Sequence, residues 1–127
     1  MSNDGDVIDQ VFCYGTLLPG QERWSFLAPF VMEYEPDQAN GRIYDTTLGF
    51  PAAIFSQIGV IEGFRFRLDS LRLSEALKII DEVESGVEGH YHRVAITTAM
   101  GELVYAYEYG GDAEKLVPIP GGNWLTR

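Results

Sequence analysis

Glu84 is the residue whose position in this sequence fits least well with an ordinary surface role. Over residues 74 to 84, at roughly 100° per residue, Glu75, Lys78 and Glu82 gather on one side of a helix and Ala76, Ile79, Ile80 and Val83 lie opposite. Glu84 projects within roughly 20° of Leu77 and roughly 40° of Ile80, which puts its carboxylate on the inner side of the last turn. Glu82 points outward. A carboxylate held against an apolar wall has a raised pKa, because burial penalises its charged form, and it can then take and return a proton near neutral pH. The competing reading is a frayed helix end from which Glu84 turns back to water; periodicity alone leaves both open.

The second candidate is Tyr14-Gly15-Thr16-Leu17, directly after an apolar run. Gly15 allows the backbone to approach a ligand closely or to adopt positive φ, and successive amide hydrogens in such a loop can converge on a carboxylate or carbonyl oxygen. A plain strand-ending turn explains the same residues. The remaining glycines of a dinucleotide fingerprint and the Gly-Lys-Ser/Thr of a phosphate loop are absent from it.

Several classes are made improbable by composition. Nineteen acidic against nine basic side chains give a formal charge of −10, and Lys78 and Lys115 are the chain's lysines. That field repels phosphate backbones and anionic membranes, so neither nucleic acid nor membrane is an expected partner. With Cys13 as its single cysteine the chain has no internal disulfide and no thiolate-rich zinc site, and a reducing cytoplasm is the expected compartment. A length of 127 residues with 46% hydrophobic content reads as one soluble domain, residues 1–127, with 1–6 flexible. Oligomeric state stays open.

The elements that must position these residues follow from punctuation and period. Val7 to Tyr14 reads as a buried strand, Gly15 to Gly20 as a loop and Gln21 to Leu27 as a short helix. Phe30 to Tyr34 and Gly41 to Tyr44 read as strands separated by the polar stretch Glu35 to Asn40. Pro51 keeps 49–55 from being a central strand, leaving an irregular edge or pocket wall. Val60 to Leu68 alternates as a strand. A helix capped by Ser70 or Ser74 follows, with Leu71, Leu73, Ala76, Leu77, Ile79, Ile80 and Val83 on its apolar side and Ser85-Gly86 at its end. Strands at Tyr91 to Thr98 and Glu102 to Tyr109 flank a turn at Met100-Gly101. Six or seven strands and one or two helices predict an α/β (α+β) domain, a small mixed β-barrel or strongly bent sheet with flanking helices.

Taken together, Tyr14-Gly15-Thr16-Leu17 and Ile80-Asp81-Glu82-Val83-Glu84-Ser85 resemble the γ-glutamylcyclotransferase-like family (AIG2-like relatives), with its Tyr-Gly-Ser/Thr-Leu loop and Leu-Asp-x-x-Glu-Gly helix end. Gly49-Phe50-Pro51-Ala52 looks like the family's Gly-x-Pro segment. Glu62 to Leu68, Tyr91-x-Arg93, Val104-Tyr105 and Gly122-Asn123-Trp124 extend the resemblance over nearly the whole chain. It implies an enzyme that releases 5-oxoproline from a γ-glutamyl amine, amino acid or peptide, of lyase or acyltransferase type, with no cofactor and no metal. It also implies Glu84 as the catalytic acid/base, with Tyr14, Gly15, Thr16, Leu17, Gly49, Pro51 and Tyr105 binding substrate. Ser85 in place of Gly and the longer loop Val87-Glu88-Gly89-His90 depart from the family pattern at the helix end.

The other reactive side chains have plainer readings. Cys13 sits in an apolar strand with no basic neighbour, as a buried structural thiol does. His90 and His92 lack further ligands at metal spacing and read as surface residues. Tyr105, Tyr107 and Tyr109 share one strand face, and Trp24 and Trp124 read as packing residues. Arg93 pairs equally well with a structural acid or with substrate. A binding or scaffold protein on the same fold is the alternative to an enzyme.

Overall fold

The structure, a computed structural model, describes residues 7–87 and 90–127. The first six residues, expected to be flexible, lie outside it, as does the Glu88-Gly89 part of the loop before Tyr91. In chain order the elements are β1 (Gln10–Cys13), α1 (Trp24–Leu27), β2 (Val31–Asn40), β3 (Arg42–Asp45), β4 (Pro51–Ile54), β5 (Val60–Leu68), α2 (Leu73–Ser85), β6 (His92–Thr97), β7 (Leu103–Glu108) and β8 (Val117–Pro118).

The strands make two sheets, ordered β2-β5-β1-β7-β6 and β4-β3-β8, and neither closes on itself. The mixed α+β class is as the sequence predicts; the barrel is not. β2 and β6 are the two edges of the larger sheet, and β2 meets the turn after β6 through the bond from Ala99 N–H to Gln38 O at 2.8 Å and through Asp37, which accepts from Thr98 and the Met100 backbone. The chain leaves that sheet at Gly41, whose φ of 143° disfavours an L side chain and whose Cβ position would lie 2.7 Å from Ile54 O. β3 therefore starts a second sheet instead of extending the first.

β1 lies between β5, antiparallel, and β7, parallel, and a core cluster covers each of its faces. Val11 and Cys13 face α2, packing with Phe66, Leu68, Ala76 and Ile80. Phe12 and Tyr14 face the other way, against Ile43, Ala53, Ile61, Val104 and Trp124 between the sheets. Alternation at period two thus serves two cores at once.

Three local expectations are corrected. Glu35 to Asn40 is strand, not a break: β2 runs unbroken to Asn40 along an edge where Pro36 loses no ladder bond needed elsewhere, and Arg65 and Arg67 of β5 pair with Glu35, Asp37 and Glu33. Pro51 opens an edge strand that also walls a cavity, as expected, but the strand is regular, pairing residue for residue with β3. Neither Ser70 nor Ser74 caps α2; Asp69 caps the 3-10 turn before it, accepting from Leu71 N–H at 3.0 Å, and this turn carries Leu71 out to 93% exposure. Ile80→Ala is therefore expected to lower the unfolding free energy by about 2–5 kcal/mol, and Leu71→Ala to change it by less than about 0.5 kcal/mol, in urea titrations.

Candidate active site

β1 delivers residues 14–17 to the end of the sheet, and the turn is closed by Leu18 N–H donating to Gly15 O at 3.1 Å and Arg23 N–H donating to Thr16 O at 2.7 Å. The backbone N–H groups of Gly15, Thr16 and Leu17 find no acceptor among the described residues. Gly15 is required by close approach: a Cβ there would lie 2.5 Å from Pro51 Cγ and 2.8 Å from Cδ. The first residue of β4 is thereby pressed against the turn.

Beside this contact lies a cavity of about 390 Å³, counting its open mouth. Its walls are Tyr14 to Leu17 and Cys13 from the β1 exit, Phe50 and Pro51 from β4 and its approach, Glu84 and Val87 from the end of α2, with Arg23, Tyr91 and Tyr107. Buried tyrosine hydroxyls hold these walls together. Tyr14 Oη donates to Tyr107 O at 2.6 Å, and Tyr91 Oη donates to Pro51 O at 2.6 Å. Tyr107 Oη donates to Asp81 Oδ1 at 2.6 Å, tying the sheet to the helix one turn before Glu84, and Arg93 Nε lies 3.4 Å from the same oxygen.

Glu84 faces this cavity, partly buried and with no hydrogen-bond partner for its carboxylate among the described residues. Burial raises its pKa to about 7, against the opposing pull of Arg23's positive charge. Burial also pushes the Cys13 thiol and the Tyr14 and Tyr91 phenols upward, with the negative charge of Glu84 adding to each. Tyr107 rises through burial and then through its bond to Asp81. Among the described lining residues Glu84 is thus the group poised to exchange a proton near neutrality. Cys13, the last residue of β1, is buried with its thiol pushed toward the protonated form, which suits the structural thiol read from the sequence.

The structure brings Glu84, Tyr14, Gly15, Thr16, Leu17 and Pro51 to one cavity. Gly49 and Tyr105 are elsewhere. Gly49 has φ 96° in the turn before β4, with open space around it. Tyr105 shares a face with Tyr107 but lies one strand repeat further from the mouth, under the Arg93 guanidinium at 4.4 Å, so Tyr107 takes the wall position expected of Tyr105. Arg23 carries no sequence signal of its own. Tyr91 stands out in the sequence only as one half of the Tyr91-x-Arg93 pair. The exposed His92 lies 3.6 Å from Glu108, away from the cavity.

Residues 11–126 match the family described as gamma-glutamyl cyclotransferase, AIG2-like, and the chain belongs to that family. No match to a curated protein was found. Among solved structures, an uncharacterized protein of Pyrococcus horikoshii superposes with a TM-score of 0.70 at 21% identity, over 94% of this chain and 92% of that one. The mouse AIG2-like protein gives 0.63 at 15% identity, over 89% and 86%. The ytfP protein of Escherichia coli gives 0.57 at 25% identity, over 91% and 96%. No helix among the described residues is long and apolar enough to cross a membrane.

A carboxyl whose pKa is higher in the folded than in the unfolded chain stabilises the fold most below its unfolded pKa. That contribution is lost as pH rises from about 4.5 to about 7. Glu84→Gln removes this dependence. Relative to wild type, the variant is expected to gain about 1–3 kcal/mol between pH 5 and pH 8 in parallel urea titrations; an unchanged difference would mean an ordinary Glu84 pKa.

Proposed function

We propose that this chain is a γ-glutamyl cyclotransferase that releases 5-oxoproline from a γ-glutamyl amine, amino acid or peptide, with Glu84 as general acid/base. The observation that carries the reading is that the partly buried Glu84 carboxyl and the free amides of the 15–17 turn line one cavity.

The substrate holds its own nucleophile. Its α-amine lies a five-membered ring away from the γ-carbonyl carbon, so the site has to fold the glutamyl arm and move protons. The neutral α-amine attacks that carbon, a C–N bond forms, and Glu84 takes the proton released from nitrogen. The tetrahedral oxygen carries negative charge, for which the amides of Gly15, Thr16 and Leu17 are candidate donors. The γ-amide C–N bond then breaks as Glu84 returns its proton to the leaving nitrogen, giving 5-oxoproline and a free amine. A group with pKa about 7 suits both transfers.

Roles follow for the remaining walls. Tyr14 and Pro51 shape the glutamyl pocket, Tyr91 and Tyr107 fix its sides, and neither a cofactor nor a metal enters the proposed chemistry. One domain in a reducing cytoplasm is the setting that Cys13 and the composition favour.

Release of 5-oxoproline from a panel of γ-glutamyl compounds tests the reading. Glu84→Gln is expected to lower kcat/KM at least about 100-fold with the fold retained, Glu82→Gln to change it less than about twofold, and wild-type kcat/KM to rise with pH through a midpoint near 7. Equal activity in the two variants would remove Glu84 from the mechanism. Binding without any turnover would favour the binding-protein reading.

A further inference from the structure

Arg23 places a positive charge in the cavity wall of a chain whose formal charge is −10. It is clamped twice to one loop residue: its backbone N–H donates to Thr16 O at 2.7 Å, and Nη1 donates to Thr16 Oγ1 at 2.8 Å. Its guanidinium carbon lies 5.7 Å from the Phe50 ring centroid. Arg65, Arg67, Arg72, Arg93 and Arg127 each have a carboxylate within 4.0 Å. Arg23 and the exposed Arg42 have none at that distance among the described residues; of the two only Arg23 is partly buried in the cavity wall, and its charge reaches Glu84 through space. A pre-positioned guanidinium with donors to spare, facing a cavity whose one described lining carboxyl, Glu84, stands beyond ion-pair distance, is suited to a planar anion.

We propose that Arg23 binds a carboxylate of the substrate, one borne on the carbon next to a nitrogen whose proton Glu84 handles. The choice of substrate rests on the reaction proposed above. Both nitrogens of that reaction qualify: the α-amine neighbours the glutamyl carboxylate, and the leaving nitrogen of a γ-glutamyl amino acid neighbours a second one. Either carboxylate would come within reach of a cation in the same wall region as Glu84. Arg23 therefore sets a requirement for anionic substrate, and the two sources differ in what the leaving group must carry.

Calorimetric binding in the Glu84→Gln background, with and without Arg23→Gln, separates them without needing turnover. Four ligands are compared: 5-oxoproline, 2-pyrrolidinone as the same ring without the carboxylate, γ-glutamylalanine, and γ-glutamylethylamide as its decarboxylated counterpart. Loss of Arg23 is expected to weaken carboxylate-dependent binding about 10- to 100-fold. Weakening of 5-oxoproline and both γ-glutamyl ligands assigns Arg23 to the glutamyl carboxylate; weakening of γ-glutamylalanine alone assigns it to the leaving group. Arg23→Lys, which keeps the charge, is expected to restore part of the loss. Equal weakening of all four ligands including 2-pyrrolidinone, as a purely structural hold on Thr16 would give, overturns the proposal, and so does no weakening or no binding at all. Wild-type turnover is scored separately, so Arg23-dependent binding by an inactive protein would sink the reaction and keep the site.

Discussion

The seating of α2 on the five-stranded sheet is the contact on which the rest of the site depends. Ala76 and Ile80 are fully buried there against Val11, Phe66 and Leu68, which fixes the helix in rotation. Residues four apart share a helix face, so fixing Ile80 also fixes the direction of Glu84 one turn later. The bond from Tyr107 Oη to Asp81 Oδ1 secures the same turn from the sheet side. Glu84 is consequently held at the cavity by the core, and its burial is a cost the core offsets.

The opposite wall is held by different means. Short hydrogen bonds from Tyr14 and Tyr91 to backbone carbonyls, together with the Gly15–Pro51 contact, bring the exit of β1, the start of β4, the end of β7 and the approach to β6 together. Buried hydroxyls with firm acceptors are rigid supports. They leave three loop amides free and one carboxyl without a described partner, both lining the same cavity.

Much of this was readable in the chain because it is local. The phase of Leu77, Ile80 and Glu84 placed the carboxyl on the inner face, and the alternation of Val60 to Leu68 gave β5 its full extent. What the sequence concealed was set by distant partners. Glu35 to Asn40 looks like a loop until the guanidiniums of β5 are opposite it, and the switch of sheets at Gly41 depends on a crowd of atoms around Ile54 and Phe55. Leu71 is apolar but, at roughly 100° per residue, falls in phase with Lys78 and Glu82 rather than with Ile80, and the Asp69 turn starts the helix after it. The tyrosines of β7 share one face, and only the parallel pairing of Val11 with Tyr105 shows that Tyr107 stands at the cavity end. Arg23 had no motif to announce it, because what distinguishes it is its place in the cavity wall, which only the fold reveals.

The central claim is that the side chain closing α2 is a carboxyl kept from water by the core yet open to the cavity. Carbon-13 NMR titration of the glutamate side-chain carboxyls, with the Glu84 signal identified by its loss in Glu84→Gln, measures this directly. A midpoint near 7 is what burial of this group requires. A midpoint in the ordinary glutamate range, about 4.3, would put that carboxyl in bulk water and contradict the account.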